Sequence, residues 1–274
     1  MTTTVAQPQV LDAGGIKTSY LDAGSGEPLL MLHGSGPGVS ATANWQYNIE
    51  PLSRRFHVLA PDIVGFGATE RPEHVVYSLR NWTDHVWAFL DAQNIERTTI
   101  VGNSLGGRIA LQMATDHPER VRRMVLMGAP GVGMTPTEGL TALRAYEPSH
   151  EAMRNLLRNY FAVDPSLITD ELVAIRYEAS IADGAYEAYR AMFFDPRYKG
   201  SELGITVEEV RAINTPTLLV HGREDQVVPL AVSVTMLDLL PNADLHVFSR
   251  CGHWTQIERA DEFSALVADY LERS

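Results

Sequence analysis

Short apolar runs recur along the chain, separated by stretches with the periodicity of amphipathic helices. After an opening hairpin around Gly14-Gly15, six runs have the length and composition of buried strands. They are residues 29–32, 58–60, 99–101, 124–127, 217–220 and 245–248. Strands that are apolar throughout are typical of a parallel sheet covered by helices on both faces. The pattern therefore predicts an α/β fold on a mostly parallel sheet.

The alternation of strand and helix is interrupted once. Elsewhere, three helices are predicted from their periodicity and from prolines that end them, at residues 105–117, 230–240 and 261–271. Residues 133–206 instead show helical periodicity broken by prolines, with no strand-like run. This organisation predicts a core made of residues 1–132 and 207–274. Residues 133–206 would be a helical lid inserted over the strand ends.

Composition and charge narrow the classes of function. The chain has 274 residues, enough for one large α/β domain. The 22 basic and 34 acidic residues give a net charge of −12, so electrostatic attraction to nucleic acid or to anionic lipid is not expected. The single cysteine, Cys251, cannot form an internal disulfide or build a cysteine-ligated zinc site. With no signal-peptide pattern and no membrane-length apolar run, we expect a soluble cytoplasmic protein.

A nucleophile is predicted where the third strand-like run ends. The run at residues 99–101 leads into Gly102-Asn103-Ser104-Leu105-Gly106-Gly107, which matches G-x-S-x-G between a strand and a helix. In such an elbow, glycines leave room for a strained turn, and the helix N-terminus stabilises developing negative charge. A tight glycine turn without catalytic function is the alternative. The context favours Ser104 as a nucleophile.

A serine nucleophile needs a histidine base and a carboxylate that orients the histidine. Asp225 follows the strand at 217–220, and His253 follows the last strand. The resulting order Ser, Asp, His is the one found with a strand-to-helix nucleophile elbow. Alternatives stay open: Asp225 could be a turn residue with Glu224 as the acid, and His253 could cap a helix.

The loop after the first parallel strand, residues 33–38, is predicted to help form an oxyanion hole. Its sequence His33-Gly34-Ser35-Gly36-Pro37-Gly38 can present backbone N–H groups to an oxyanion, with the N–H of Leu105 as a second donor. The alternative is a flexible connector. We expect His33 and Asp62 to brace loops rather than act as base or acid, and Cys251 to be a packed thiol.

Several of these motifs together resemble one family. Residues 33–45, Gly102 to Gly107 and Gly252-His253-Trp254 are similar to the meta-cleavage product hydrolases of aromatic degradation. Within that family the lid, especially residues 137–157 and 177–181, looks most like hydrolases of 2-hydroxymuconate semialdehyde and related monocyclic compounds. The resemblance implies an α/β-hydrolase fold, no metal or organic cofactor, and a homo-oligomer.

The resemblance also implies a reaction. A carbon–carbon bond in a 2-hydroxy-6-oxohexa-2,4-dienoate would be hydrolysed to a 2-hydroxypenta-2,4-dienoate and a carboxylic acid. His253 would move the proton that converts the dienol to its keto form, and Ser104 would then act at the C6 carbonyl. The backbone at Ser35 or Gly36, together with Leu105, would hold the oxyanion.

A substrate that carries a carboxylate needs a cation in the pocket, and Arg176 is the candidate. A helical projection places it between Leu172 and Val173, on the side that also carries Ile175 and Ala179. By resemblance, Arg176 binds the substrate carboxylate. The alternative is an arginine that lies along apolar surface with its charged end in water.

Three further contacts to the substrate are implied by the resemblance, at Asn44, Asn103 and Trp254. Asn103 could instead brace the elbow, and Trp254 could be ordinary core. Met192, Phe193 and Phe194 could line the acyl end of the pocket or simply pack. A carboxylesterase with the same triad, or a binding protein without turnover, remains an alternative function.

Overall fold

A computed structural model describes residues 7–197 and 203–273. Its centre is one eight-stranded sheet. The strands are β1 (Gln9–Ala13), β2 (Ile16–Ala23), β3 (Pro28–Leu32), β4 (His57–Pro61), β5 (Thr98–Asn103), β6 (Val121–Met127), β7 (Thr217–Gly222) and β8 (Ala243–Phe248). The strand order is β1-β2-β4-β3-β5-β6-β7-β8.

The six neighbouring strands β4, β3, β5, β6, β7 and β8 run parallel, as the sequence predicts. Only the pairs β1–β2 and β2–β4 are antiparallel. The hairpin expected around Gly14-Gly15 joins β1 to β2, where Ala13 pairs with Ile16. The six expected strands correspond to β3 to β8. The predicted α/β fold with a mostly parallel sheet is therefore confirmed.

Twelve α-helices accompany the sheet in the described part of the chain. They are α1 (Ala41–Trp45), α2 (Ile49–Ser53), α3 (Leu79–Ala92), α4 (Leu105–Asp116), α5 (Glu138–Arg144), α6 (His150–Leu156), α7 (Asp170–Ser180), α8 (Ala185–Phe194), α9 (Val207–Ala212), α10 (Leu230–Leu239), α11 (Thr255–Glu258) and α12 (Ala260–Glu272). The three predicted helices are α4, α10 and α12, with ends displaced by at most one residue. Helix α3 was not predicted from the sequence.

The sheet is covered on both faces, which explains why its strands are apolar throughout. Along β3, Leu30 and Leu32 belong to one hydrophobic cluster, while Leu29 and Met31 belong to a second. Successive side chains of a strand point to opposite faces. The first cluster includes residues of α3, α4 and α10, and the second includes residues of α1, α2 and α12. Two layers of helices thus enclose the sheet.

The described part of the segment between β6 and β7 consists of helices joined by loops. Helices α5 to α8 lie there, with a π-helical turn at Leu157–Phe161 and a 3₁₀ turn at Pro165–Leu167. The described part of residues 133–206 contains no strand. A lid with these limits stays a prediction, and we call 133–206 the inserted segment. Within residues 7–197 and 203–273, none of the helices has the length and apolar composition of a membrane span.

Helix α4 approaches the sheet closely because its first turn has no side chain at Gly106. A methyl group at Gly106 would overlap the backbone carbonyl oxygen of Leu32 in β3. At Gly102, a methyl group would lie 2.6 Å from the backbone of Gly106. The two glycines of G-x-S-x-G are therefore required by packing at the elbow.

We predict that Gly106→Ala destabilises the protein by about 3 kcal/mol, the upper end of the range for overpacking, because the atom in the way is backbone. The control is Gly15→Ala: Gly15 has φ +90° and open space around it. That variant should cost only about 1 to 2 kcal/mol of backbone strain. Urea unfolding measures both, and equal losses would contradict the packing explanation.

Candidate active site

Ser104 occupies the sharp turn between β5 and α4. Its backbone has φ 50° and ψ −113°, a conformation that non-glycine residues rarely adopt. Such strain costs about 1 to 3 kcal/mol and persists only where the surroundings enforce it. Here the backbone N–H of Ser104 donates to the carbonyl of Met127 in β6 (2.8 Å). The turn thus holds the hydroxyl at the carboxyl end of the sheet.

His253 and Asp225 form a buried pair at the ends of β7 and β8. His253 Nδ1 lies 2.7 Å from Asp225 Oδ2. The other carboxylate oxygen, Oδ1, accepts the backbone N–H groups of Val227 (2.8 Å) and Val228 (2.9 Å). Burial alone would raise the pKa of Asp225, but the neighbouring His253 and the hydrogen bonds from His221 and His253 bring it below its usual value. Because an ionised carboxylate only accepts, Nδ1 carries the proton, and in the neutral imidazole the lone pair is then on Nε2.

A second histidine, His221, supports the turn that holds Asp225, and the sequence did not single it out. Its Nε2 donates to the carbonyl of Val228 (2.8 Å), and its Nδ1 bonds the Ser233 hydroxyl (2.7 Å). Nε2 also lies 3.4 Å from Asp225 Oδ2. The only available signal was its position at the end of β7, four residues before Asp225. Glu224, the alternative acid, accepts the backbone N–H of Cys251 (3.1 Å).

A small polar pocket brings most of the predicted site residues together. Its free volume is only about 10 Å³, so the lining side chains leave almost no unfilled space. It is lined by Ser35, Gly36, Asn44, Asn103, Ser104, Arg176, His253 and Trp254, together with Gly34, Val39 and Phe161. Asp225 lies behind His253, and Leu105 borders a second cavity. Phe161 was not predicted.

Arg176 is buried in α7, and its charge is not compensated by any residue that the structure describes. Its residue is 4% exposed, and no described residue accepts a hydrogen bond from its guanidinium or forms an ion pair with it. The guanidinium carbon lies 5.5 Å from the ring centre of Trp254, a cation–π arrangement. Burial lowers the pKa of Arg176 to about 10, which still leaves the group cationic near neutral pH.

The face of α7 around Arg176 differs from the prediction. The buried residues are Val173, Arg176 and Ser180, one stripe at helical spacing. Ile175 is 57% exposed and Ala179 is also exposed, so placing them on the buried side was wrong. The buried stripe is narrower than the projection assumed, because α7 meets the core along one row of side chains.

The other three predicted contacts, Asn103, Asn44 and Trp254, all line the polar pocket but differ in what else they contact. Asn103 lines the polar pocket, and its Nδ2 donates to the carbonyl of Met127 (3.4 Å), so it also braces the elbow. The Nδ2 group of Asn44 is buried and lacks a hydrogen-bond partner within the described residues. Trp254 packs against Phe161, with ring centres 5.0 Å apart.

Hydrogen bonds of two buried side chains, His33 and Asp62, hold the loop after β3 in place. His33 Nε2 accepts the backbone N–H of Ile63 (3.0 Å), which leaves Nδ1 to donate to the carbonyl of Gly34 (2.7 Å). Burial lowers the pKa of His33, so it stays neutral and both nitrogens are occupied. Asp62 accepts the backbone N–H groups of Ala41 (2.6 Å) and Ala68 (2.9 Å). Both residues brace loops, as predicted, and Ser35 and Gly36 face the pocket.

An apolar cavity of about 500 Å³ lies on the other side of Ser104. Ser35 and Ser104 border both this cavity and the polar pocket. Met192, Phe193 and Phe194 line it, which supports a role for them beyond packing. Other lining residues include Leu105, Val132, Met134, Leu140, Arg144 and Ile205. The nucleophilic serine therefore lies between a polar, cationic compartment and a larger apolar one.

Comparison with known proteins places this arrangement in context. The family model described as alpha/beta hydrolase fold matches residues 27–260. The chain is 50% identical over 260 residues to the 2-hydroxymuconate semialdehyde hydrolase of Pseudomonas sp. strain CF600, covering 94% of this chain and 92% of the relative. It is 47% identical to the 2-hydroxy-6-oxo-2,4-heptadienoate hydrolase of Pseudomonas putida, covering 94% of each.

Solved structures are also similar to this chain over nearly its whole length. The chain superposes with a TM-score of 0.92 and 49% identity on a mutant of the meta-cleavage product hydrolase CumD from Pseudomonas fluorescens IP01 complexed with acetates, covering 97% of each chain. A second mutant of CumD has a TM-score of 0.93 at 50% identity, covering 97% of this chain and 98% of that one.

We predict that Cys251, the residue two positions before His253, is unreactive in the folded protein. Its thiol is buried, and burial raises its pKa, so little thiolate forms in mildly alkaline solution. A disulfide reagent that releases a coloured thiol should therefore label the protein only after unfolding, to one equivalent. Rapid labelling of the native protein would show instead that Cys251 is an accessible nucleophile.

Proposed function

The chain belongs to the α/β-hydrolase family and, within it, to the meta-cleavage product hydrolases; from this premise we propose that it hydrolyses a carbon–carbon bond in a 2-hydroxy-6-oxohexa-2,4-dienoate. The proposed substrate is 2-hydroxymuconate semialdehyde or a C6-alkyl analogue. The products are 2-hydroxypenta-2,4-dienoate and a carboxylic acid. One observation carries the proposal: Arg176, a buried cation with no counter-charge among the described residues, shares a pocket with Ser104 and His253.

Ser104, His253 and Asp225 are the proposed catalytic residues. The dienol must first become the keto form, because the electrons of the breaking bond need a carbonyl system to enter. We assign this proton movement to His253, whose Nε2 is left free by the hydrogen bond between Nδ1 and Asp225. Ser104, or water activated at this site, then attacks the C6 carbonyl, and the C5–C6 bond breaks with its electrons entering the keto system. Where Ser104 attacks, water then hydrolyses the acyl-serine to the carboxylic acid. Asp225 keeps the imidazole in the required tautomer.

Negative charge that develops on the C6 oxygen would be held by backbone N–H groups. Leu105 is the first residue of α4, so its N–H has no partner inside the helix. The N–H of Ser35 or of Gly36 would be the second donor, from the loop that His33 and Asp62 brace. Such fixed donors need no reorganisation when the charge appears.

The two compartments support one orientation of the substrate. The carboxylate end would lie against Arg176, with Asn44, Asn103 and Trp254 as further contacts. The C6 substituent would enter the apolar cavity. Since the polar pocket has almost no free volume, a bound dienoate would need its lining side chains to move apart. We propose that the inserted segment, which contributes Phe161 and Arg176 to this lining, acts as a lid. The cytoplasmic location and the homo-oligomer expected from the sequence also stay proposals.

A carboxylesterase would use the same serine, histidine and aspartate, but it would have no use for Arg176. An ester substrate carries no carboxylate that could offset the cost of burying a guanidinium. A binding protein without turnover would not need the His253–Asp225 pair. The uncompensated cation therefore favours the dienoate hydrolase over both alternatives.

We predict that the wild-type protein rapidly removes the yellow absorbance of the dienolate, and that Ser104→Ala and His253→Ala both lose turnover by several powers of ten. In single-turnover spectra, His253→Ala should also slow ketonisation, whereas Ser104→Ala should slow mainly cleavage. Ketonisation at the wild-type rate in both variants would exclude His253 as the first proton carrier.

We predict that Arg176→Ala lowers kcat/KM for the dienoate by about 10- to 150-fold, the value of hydrogen bonds to a charged group. Turnover of nitrophenyl acetate should change only a few-fold, because this ester has no carboxylate to bind. Arg176→Lys should recover part of the loss, since an ammonium restores charge without the planar fork.

The matched control is Arg154→Ala, which removes an inserted-segment arginine that pairs with Asp170. It should leave both activities near wild type. Equal losses on both substrates in Arg176→Ala would mean that Arg176 only supports the fold. No loss on either would favour the esterase.

A further inference from the structure

The loop that carries His253 touches the inserted segment directly. We call residues 251–254 the histidine loop. The backbone N–H of Trp254 donates to the carbonyl of Phe161 (3.2 Å), the last residue of the π-helical turn. The Phe161 ring meets the His253 imidazole edge-on, with centres 5.6 Å apart. The position of His253 therefore depends on where residues 161–164 lie.

One carboxylate connects the two segments. Glu258, at the end of α11, accepts the backbone N–H of Gly252 at Oε1 (2.7 Å). Its Oε2 accepts the N–H groups of Val163 (2.8 Å) and Asp164 (3.3 Å) in the inserted segment. Each oxygen of Glu258 thus holds a different segment, and the two segments are about 90 residues apart in sequence.

Among residues 7–197 and 203–273, Glu258 has no cationic partner that would give it an ordinary salt-bridge role. The adjacent Arg259 directs its guanidinium to Glu262 and to the carbonyl of Ser249. No ion pair of Glu258 is formed with the residues the structure describes. Besides these three backbone N–H groups, Oε1 has a weak contact from the Cys251 thiol (3.9 Å). A carboxylate that accepts backbone N–H groups on both oxygens fixes the backbone positions that surround it.

We propose that Glu258 is a positioning residue that fastens residues 161–164 of the inserted segment to the histidine loop, so that one carboxylate sets both the position of His253 and the closure of the polar pocket. The proposal rests on the function proposed above. It adds a residue outside the pocket whose role is to couple the lid to the base. Phe161, which lines the pocket, is the part of the inserted segment that this contact holds against His253.

The proposed connection requires both carboxylate oxygens of Glu258 to accept hydrogen bonds. In Glu258→Gln one oxygen becomes an amide N–H₂ group, which only donates and would face a backbone N–H that also donates. The glutamine can keep the contact to Gly252 or the contact to Val163 and Asp164, but not both. Size and shape are unchanged, so this variant breaks the connection without leaving a cavity.

The test compares Glu258→Gln with two other glutamate variants. Glu262→Gln removes a surface carboxylate from the same region and should behave as wild type. Glu224→Ala removes an acceptor for the backbone N–H of Cys251, so it loosens the histidine loop without touching the inserted segment. Thermal unfolding of all variants establishes that each is folded at the assay temperature.

Three readouts separate the possible roles. The first is hydrolysis of nitrophenyl acetate, which needs His253 but no carboxylate site. The second is the dissociation constant of the dienolate, measured in a Ser104→Ala background. The third is the low-field proton resonance of His253 Nδ1–H, assigned by its loss in His253→Ala.

In Glu258→Gln we expect ester turnover to fall about 10-fold, dienolate affinity to fall by a similar factor, and the Nδ1–H resonance to shift or broaden. Glu224→Ala should change the resonance and ester turnover but leave dienolate affinity unchanged. A loss in only one of the three readouts for Glu258→Gln, or a lower unfolding temperature with unchanged readouts, would overturn the proposal.

If the proposed function is wrong, the experiment gives a result different from all of those above. In that case the wild-type protein would not turn over the dienoate at all. The ester and the proton resonance would still report on the connection between Glu258 and His253.

Discussion

A buried positive charge that finds no counter-charge in the described part of the chain is the constraint from which the rest of the site follows. Taking an ion out of water costs several kcal/mol unless a partner of opposite charge is close. Arg176 is held in this state by α7, against the face of Trp254 and beside Gly36, where its Nη2 atom lies 3.6 Å from the position of an added Cβ. A bound carboxylate would offset that cost. The charge is thus organised before the substrate arrives, in a protein that is otherwise strongly acidic.

The catalytic pair is organised in the same way, by backbone geometry at the ends of parallel strands. Asp225 has its Oδ1 filled by two backbone N–H groups, so only Oδ2 is left to orient His253. The space for this pair depends on Gly128, where an added Cβ would lie 3.1 Å from the imidazole and 3.3 Å from the carboxylate. The serine, the histidine and the aspartate follow three different strands, β5, β8 and β7, so the parallel sheet brings them to one edge. The inserted segment supplies the cation.

The sequence was sufficient where local pattern decides structure. Apolar runs located the parallel strands, and the strand-to-helix context of G-x-S-x-G located the turn at Ser104. The helical projection placed Arg176 in a buried stripe but misplaced Ile175, because a projection cannot say how much of a helix another layer covers. Phe161 enters the pocket through a π-helical turn, a hydrogen-bond register that no apolar periodicity encodes. His221 contacts the Val228 carbonyl and the Ser233 hydroxyl, which only the folded chain brings close to it. Its position in the sequence therefore gave no signal of this role.

The most direct measurement is a crystal structure of Ser104→Ala soaked with the dienolate substrate. The proposed function predicts that the carboxylate accepts two hydrogen bonds from the Arg176 guanidinium, that C6 lies beside residue 104, and that the C6 substituent points into the apolar cavity. A dienolate bound with its carboxylate in solvent or in the apolar cavity, with Arg176 still unpaired, would contradict the central claim that this buried cation selects and orients the substrate.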